Sequence, residues 1–454
     1  KYKSARGKGG WKRVSWDQAT ELVAAGQIHT IKKYGPDHMA NFSPIPAMSL
    51  LSFISGHRYN NILGGIYCSY YEWYHDLPHV SSSMFGDQTE NCESSDWYLG
   101  TYWVVAGSNI NMTRTADAHF LSEAKYRGSK IVVLSPNYSD VTKYADTWVP
   151  LVPGSDGAFL MACIHVILKE FYVDKKTPYF TEYAKQYTNL PFLVVLDKDG
   201  DNYQMGRFLR ASDIAEYAGE ENADWKLIMA DGGGKLHVPT GSIGFRWEEK
   251  PTGNWNLQLK NAVTKEDFDP LLTLLGNDDQ EASVSFSDFS DTFSIFIGRT
   301  EGKGQKAKEI LRSVPARKII TKDGEELLVT TAFDLTMAQA GVGRGLSGDY
   351  PEDYDDPKPY TPAWQETQTG VGRDLAIQIG REFADNAEKT KGKSLFITGP
   401  GIQHFYHGAS LYYRNEAVML ALCGCNGVNG GNFNHYVGTQ HTRLNAAFVN
   451  MSGA

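Results

Sequence analysis

Apolar runs of strand length alternate with helical stretches in the first part of the chain. Residues 102–106 and 131–134 are continuous apolar runs, and each is followed by a small polar turn. Residues 117–127 and 157–171 have the spacing of apolar positions that is typical of helices. Because parallel strands are buried on both faces and need crossover helices, this rhythm predicts α/β structure with a doubly wound, mostly parallel sheet.

The remaining pattern divides the chain into parts. The α/β rhythm returns at residues 373–386, 394–398 and 414–422, whereas glycine-rich turns separate short apolar segments before it. We therefore expect four parts: a lead-in segment (1–40) whose helix is capped by Ser15 and Gln18, a first α/β domain (41–190), a mixed, strand-rich insertion (191–365), and the truncated start of a second α/β domain (366–454).

Composition excludes two classes of partner. The formal net charge of the 454 residues is -9, and no basic stripe with interleaved aromatics is present, which argues against nucleic acid. Apolar runs stay short of the roughly 18 residues that a membrane span requires, so we expect no direct span in this chain.

Two sets of turn residues stand where ligands of parallel sheets collect. Gly107, Ser108 and Asn109 follow the first apolar run, and Ser135-Pro136-Asn137 follows the second. The carboxyl ends of parallel strands share one edge of the sheet, so these turns predict a binding site there.

Asp76 lies in an unusual setting, because the surrounding segment is YYEWYHDLP. A carboxylate among bulky rings is costly to desolvate unless a cation or hydrogen-bond donors compensate its charge. Taken alone, the segment favours a carboxylate that caps a turn beside a core strand, because aromatic runs usually serve packing.

A series of ordered blocks resembles the catalytic subunit of respiratory nitrate reductase and nitrite oxidoreductase, within the molybdopterin oxidoreductases. It spans nearly the whole chain, and residues 255–320 are its weakest part. The blocks are SPIPAMS, SGHRY, SYYEWYHDLP, SSDWY, GSNINMTRTADAHF, KIVVLSPNYSDVTKYADTWVPLVPGSDGA, TGSIGFRW, YTPAWQETQTGV, REFADNAEKTKGKS and GGNFNHYVG.

The resemblance implies a molybdenum cofactor with two molybdopterin guanine dinucleotides. Asp76 falls on the aspartate that is the protein ligand of molybdenum in nitrate reductases of this type. His404 is expected either to face the substrate oxygen as a donor or to be a core histidine. Asn137 stands where many relatives have aspartate, and Gly154-Ser155-Asp156 matches an element, Gly-Thr-Asp in the family, whose carboxylate meets guanine N–H groups. The expected cofactor-binding residues are Gly107, Ser108, Asn109, Arg114, His119, Ser135, Asn137, Gly154, Ser155, Asp156, Gly399, Gly401, Gly430, Gly431 and His435.

The same resemblance implies oxygen-atom transfer between nitrate and nitrite, with two electrons exchanged through iron–sulfur clusters. A [4Fe-4S] cluster is expected in the full-length protein, with its ligands upstream of Lys1, so the chain is expected to be an internal fragment. The implied partners are an iron–sulfur beta subunit and a membrane or haem gamma subunit, in a membrane-associated respiratory complex of a prokaryote. Tyr71, Glu72 and His75 depart from the commonest nitrate reductase pattern, and the direction of the reaction stays open.

Two alternatives follow from the same residues. The cofactor could act on perchlorate, selenate or a hydrocarbon. The chain could instead be a structural subunit of a respiratory complex that has lost its metal, but the presence of Asp76 and of the glycine turns argues against this.

Overall fold

The computed structural model describes residues 2–42, 50–68, 84, 92–241, 258–277, 280–290, 308–399 and 409–435. The chain forms two compact units, one of Lys1–Leu77 with Gly438–Ala454 and one of Pro78–Val437.

The first unit contains a long helix and a small parallel strand pair. Ser15 and Gln18 form the predicted capping box, with the Gln18 amide donating to Ser15 Oγ over 3.3 Å and Ser15 N donating to the Gln18 side chain over 3.1 Å. Gly35 ends this helix with a φ of 104°, a conformation that favours glycine. The elements are α1 (Tyr2–Ala5), α2 (Trp16–Tyr34), β1 (Ala40–Phe42), α3 (Leu50–Leu63) and β2 (Ile66–Cys68).

The second unit contains the other described elements. Its first half comprises β3 (Tyr102–Ala106), α4 (Ile110–Thr113), α5 (Ala118–Tyr126), β4 (Lys130–Leu134), β5 (Thr147–Val149), α6 (Asp156–Ile167), α7 (Pro178–Tyr187), β6 (Leu193–Asp199) and β7 (Asn202–Phe208). The rest comprises β8 (Met229–Ala230), β9 (Leu236–His237), β10 (Pro239–Thr240), β11 (Gln258–Asn261), β12 (Gln280–Ser287), β13 (Glu309–Ile320), β14 (Glu326–Thr331), α8 (Ala332–Gln339), α9 (Pro362–Thr369), α10 (Arg373–Thr390), β15 (Ser394–Thr398), α11 (Ala409–Leu422) and β16 (Phe433–His435).

A five-stranded parallel sheet is the centre of the second unit, with strand order β16-β15-β3-β4-β5. Helices cover both faces, because Trp103 and Val105 of β3 pack in the cluster that includes Leu121 of α5, whereas Val104 packs with α6, α10 and α11. The predicted α/β class with a parallel, doubly wound sheet is confirmed.

The position of β15 corrects one expectation. Residues 394–398 were expected to begin a second α/β domain, but β15 pairs along its whole length with β3, from Ser394 opposite Tyr102 to Thr398 opposite Ala106. Both strands are buried at every residue, so each needs neighbours on both sides. The late strands therefore complete the first sheet.

The strand-rich part forms a closed barrel in the order β12-β13-β14-β6-β7. Its strands alternate: Ala282, Val284 and Phe286 of β12 are buried in one core cluster, and the residues between them are more exposed. A single pairing between Val284 and Tyr203 closes the barrel. β8 pairs with β9, and β10 with β11, outside it.

Among the described residues, no helix has both the length and the apolar character that a membrane crossing requires.

Candidate functional site

The candidate site lies at the carboxyl edge of the parallel sheet, where the loops after β3 and β4 lie beside the end of β15. From β3 the chain runs to β4 and β5 on one side, while β15 and β16 occupy the other side. The boundary between β3 and β15 is therefore a topological switch point, the place where open α/β sheets bind ligands.

Two glycines make a close backbone contact at this switch point. Gly107 has a φ of 58°, and Gly399 N donates to the carbonyl of Ala106 over 3.0 Å. A Cβ on Gly399 would stand 2.2 Å from the carbonyl oxygen of Gly107. Since real Cβ atoms do not approach this closely, the turn after β15 requires glycine here.

The loop after β3 places two of the predicted polar groups. Asn109 Oδ1 accepts from the backbone N–H of Val141 over 3.0 Å, which ties this loop to the segment after β4. Ser108 is buried, and its hydroxyl has no hydrogen-bond partner among the described residues. A buried hydroxyl without a partner costs free energy, so this group fits a bound acceptor or donor.

A cavity of about 290 Å³ lies between the loops after β3 and β4 and the start of α6. It is lined by Gly107, Ser108, Asn109, Val133, Leu134, Ser135, Pro136, Asn137, Ser139, Val141, Leu151, Pro153 and Asp156. The sequence predicted six of these residues as ligand contacts, and the fold brings them to one cavity.

Asp156 is the titratable side chain of this cavity lining. It begins α6, it is 6% exposed, and burial raises its pKa to about 6. Gly154 has a φ of 87°, and Ser155 Oγ donates to the carbonyl of Val152 over 2.6 Å, so both shape the turn that presents Asp156. Ser135 Oγ contacts the carbonyl and the side-chain oxygen of Asn137, at 2.8 and 3.1 Å.

Arg114 joins the loop after β3 to the end of β15, because one guanidinium nitrogen donates to the carbonyl of Thr398 over 3.0 Å. His119 lies further along, where its Nδ1 is 3.0 Å from the carbonyl of Ala116 and its ring packs on Phe120. The structure thus gives Arg114 a place at the switch point and His119 a local contact on α5.

Residues of α11 hold the ends of β15 and β16. Glu416 is fully buried and lies against the Thr398 hydroxyl, at 2.7 and 2.9 Å from its two carboxyl oxygens. Tyr413 OH lies 3.2 Å from Nε2 of His435 and 3.4 Å from the carbonyl of Gly399. His435, the last residue of β16, therefore reaches the same edge of the sheet.

Gly430 and Gly431 lie at the opposite edge. They precede β16, and a Cβ on Gly430 would stand 2.5 Å from the backbone of Leu99, just before β3. A Cβ on Gly431 would stand 2.3 Å from the carbonyl oxygen of Cys425. This geometry gives both glycines a packing reason, and it does not bring them to the candidate site.

Three of the predicted residues, Asp76, His404 and Gly401, lie outside the described residues. Within the described ranges, no group of three or more His, Cys, Asp or Glu side chains is arranged to hold a metal ion.

Sequence reasoning missed Glu416, Tyr412 and Tyr413. They belong to no motif, and a glutamate within a helical run is usually a surface residue. The one signal was the spacing of Tyr412 and Glu416, four residues apart on a helix otherwise rich in apolar residues.

Comparison with known proteins identifies the class. The molybdopterin oxidoreductase family matches residues 1–453, and the chain belongs to this family. It is 44% identical over 444 residues to the respiratory nitrate reductase 1 alpha chain of Escherichia coli K12, which covers 97% of this chain and 35% of that protein. It is 45% identical over 446 residues to the nitrate reductase alpha subunit of Mycobacterium tuberculosis H37Rv, with 98% and 35% covered.

More distant similarities are also found. The perchlorate reductase subunit alpha of Dechloromonas aromatica is 29% identical over 434 residues, covering 95% of this chain and 39% of that protein. The solved structure of acetylene hydratase from Pelobacter acetylenicus is similar with a TM-score of 0.42 and 15% identity, over 93% of this chain and 34% of that one. The chain spans about a third of the length of the nitrate reductase chains it matches.

Proposed function

We propose that the chain is part of the catalytic subunit of a molybdenum enzyme that transfers an oxygen atom between nitrate and nitrite. The observation that carries the proposal is the identity of 44% to a respiratory nitrate reductase alpha chain, which extends over 97% of this sequence. The polar loops at the switch point of the sheet support it, because a large anionic cofactor needs backbone and side-chain donors at such an edge.

The residues at the carboxyl edge fit a dinucleotide. The cavity of about 290 Å³, the unpartnered hydroxyl of Ser108 within the described part of the chain and the buried carboxyl of Asp156 supply space, a polar contact and an acceptor for N–H groups. When bound, the molybdopterin cofactor supplies a metal that accepts or donates an oxygen atom together with two electrons. We assign the guanine-dinucleotide form, in two copies, as part of the proposal.

The chain's own residues bind and position this cofactor. The glycines Gly107 and Gly399 allow the two chain segments to approach each other closely. Arg114 joins the loop after β3 to the end of β15. Asp156 accepts N–H donors from the ligand. Asp76 is the proposed protein ligand of the metal, and its aromatic neighbours in the sequence would exclude water from it.

The proposed reaction exchanges two electrons, so the whole protein would need an electron path. We propose a [4Fe-4S] cluster elsewhere in the full-length protein, an iron–sulfur beta subunit and a membrane or haem gamma subunit. The complex would be a membrane-associated respiratory assembly of a prokaryote, as the relatives named respiratory nitrate reductases suggest.

Perchlorate is the second candidate substrate, because a perchlorate reductase subunit is also similar, at 29% identity. The lower identity favours nitrate. A comparison of kcat/KM for nitrate, perchlorate and selenate on the purified full-length complex, with reduced viologen as electron donor, separates the two candidates. A higher value for perchlorate than for nitrate would favour the second.

Asp76→Ala tests the proposed ligand in the same complex. Loss of a direct metal ligand should lower nitrate turnover by more than about 100-fold, beyond the roughly 10–100-fold typical of outer-shell changes. Bound guanine nucleotide should stay, since the dinucleotide ends bind elsewhere. Asp374→Ala, an exposed aspartate at the start of α10, is the control. Full nitrate turnover in the Asp76 variant would end the ligand assignment.

A further inference from the structure

A buried carboxyl that no cofactor motif includes lies behind the candidate site. Glu416 is on α11, is 0% exposed, and contacts the hydroxyls of Thr398 and Tyr412. Thr398 is the last residue of β15, and its carbonyl accepts from Arg114. Glu416 therefore holds the strand end that carries both the Gly399 turn and the anchor of Arg114.

A second buried carboxyl, Asp156 at the start of α6, lies close enough for its charge to act on Glu416. The two helices also meet at Asn415, whose Nδ2 donates to the carbonyl of Gly157 over 2.9 Å. The titratable and charged groups around Glu416 are Asp156 on α6, Tyr412 on its own helix, Arg114 across Thr398, and His435 of β16 through Tyr413.

Burial raises the pKa of Glu416, hydrogen bonds from Tyr412 and Thr398 oppose this shift, and the charge of Asp156 adds a smaller upward contribution, so that the pKa is about 8. The pKa of Asp156 is raised by burial to about 6. Two neighbouring buried carboxyls do not ionise together easily, so the environments assign the proton to one and the charge to the other. Near neutral pH, Glu416 keeps the proton and Asp156 carries the charge.

We propose that Glu416 is a positioning residue of the cofactor cradle, which is the cavity lined by Ser108, Asn137 and Asp156 together with the Gly399 turn. Through its contact with the Thr398 hydroxyl, Glu416 holds the end of β15 against α11. The inference rests on the proposed function, because it concerns how the same cradle keeps an anionic dinucleotide. Ionised Glu416 would put a second negative charge behind the bound phosphates and weaken their retention.

Retention of the cofactor at two pH values tests this role. The full-length holoenzyme is incubated at about pH 7 and about pH 9.5, on either side of the Glu416 pKa, and passed through a desalting column. Molybdenum and guanine nucleotide that remain bound are then quantified. Wild-type protein should release both severalfold faster at the higher pH, because the second negative charge opposes retention of the anionic cofactor.

Glu416→Gln is the diagnostic variant, because its amide accepts from Tyr412 and donates to Thr398 but cannot ionise. It should retain the cofactor equally at both pH values. Glu382→Gln is the matched control: Glu382 also accepts from a tyrosine, Tyr102 OH over 3.1 Å, but at the amino end of β3. This control should release the cofactor with the same pH dependence as wild type.

Three results are decisive. A difference between wild type and Glu416→Gln, absent in Glu382→Gln, supports the inference. The same pH dependence in wild type and Glu416→Gln, or equal retention by wild type at both pH values, overturns it while leaving the proposed function intact. Purified wild-type full-length protein that contains neither molybdenum nor guanine nucleotide overturns the proposed function itself.

Discussion

The parallel sheet and the barrel each contain five strands, yet they use polar groups differently. The sheet is open, and the ends of its central strands present Gly107, Ser108 and Thr398 at one edge beside a cavity. The barrel is closed, and the buried Arg312 of β13 donates its hydrogen bonds to backbone carbonyls. The open sheet thus has polar groups at one edge that are available to a ligand. In the barrel, the buried polar group Arg312 stabilises the fold through internal hydrogen bonds.

The barrel side of this comparison predicts the largest loss of stability. Arg312 is fully buried and donates to the carbonyls of Ala338, Gln339, Asp349 and Pro359. Arg312→Ala removes these four charge-assisted hydrogen bonds from a buried site, so it should lower the free energy of local unfolding by about 3–5 kcal/mol. Hydrogen exchange of β13 and α8 in the full-length protein measures this change.

Lys318→Ala is the control for Arg312, since Lys318 is also on β13 and makes an exposed ion pair with Glu326 of β14. It should leave the exchange rates of β13 and α8 almost unchanged, because solvent screens an exposed ion pair. Equal effects of the two substitutions would contradict the structural role of Arg312. Neither substitution should change the molybdenum content.

The sheet side predicts a loss of cofactor without loss of the barrel. Gly399→Ala places a Cβ against the Gly107 carbonyl oxygen, and relief of this overlap costs about 1–3 kcal/mol. Molybdenum content should fall at least about fivefold, the change that 1 kcal/mol represents. Gly219→Ala, where the added Cβ meets nothing within 4 Å, should leave it unchanged. Normal molybdenum content in Gly399→Ala would contradict a role of this turn in binding the cofactor.

Arg114→Ala sharpens the same side with a smaller effect. It removes the hydrogen bond to the Thr398 carbonyl and one positive charge near the proposed phosphates. Molybdenum occupancy should fall about three- to tenfold, as expected for one charge-assisted hydrogen bond. Arg127→Ala, at the exposed end of α5, is the control. Unchanged molybdenum in the Arg114 variant would remove it from the cradle.

The smallest expected effect depends on pH and lies in the strand-rich region. Burial favours a raised pKa for Asp231, but hydrogen bonds from His237 and the backbone of Lys235 and Gly233 outweigh it and hold the pKa below 3.8. A lowered carboxyl pKa stabilises the fold above the unfolded value, and this stability is lost as the pH falls. In Asp231→Asn, the free energy of local unfolding should therefore decrease less as the pH falls, by less than about 1 kcal/mol. An unchanged decrease would contradict this role.

The sequence predicted most of the sheet because its signals are local. The strand at 102–106 is a continuous apolar run, the strand at 394–398 has an apolar centre at Leu395–Ile397, and both have the predicted bounds. The capping box at Ser15 and the turn glycines Gly107 and Gly399 follow from local backbone chemistry as well. These features need no knowledge of distant contacts.

Nonlocal contacts account for what the sequence did not predict. The pairing of β15 with β3 joins segments almost 300 residues apart, and no local pattern states which sheet a buried strand enters. The packing of Gly430 against Leu99 was not predicted, because a glycine required for packing and one required for a ligand look alike in sequence. Glu416 became visible only when the fold placed it behind Thr398.

The most direct test of the account is the molybdenum and guanine nucleotide content of the purified full-length complex, measured together with nitrate turnover by reduced viologen. The account predicts about one molybdenum and about two guanine nucleotides per catalytic subunit, with nitrate reduced to nitrite. A stable full-length complex that contains neither molybdenum nor guanine nucleotide would contradict it.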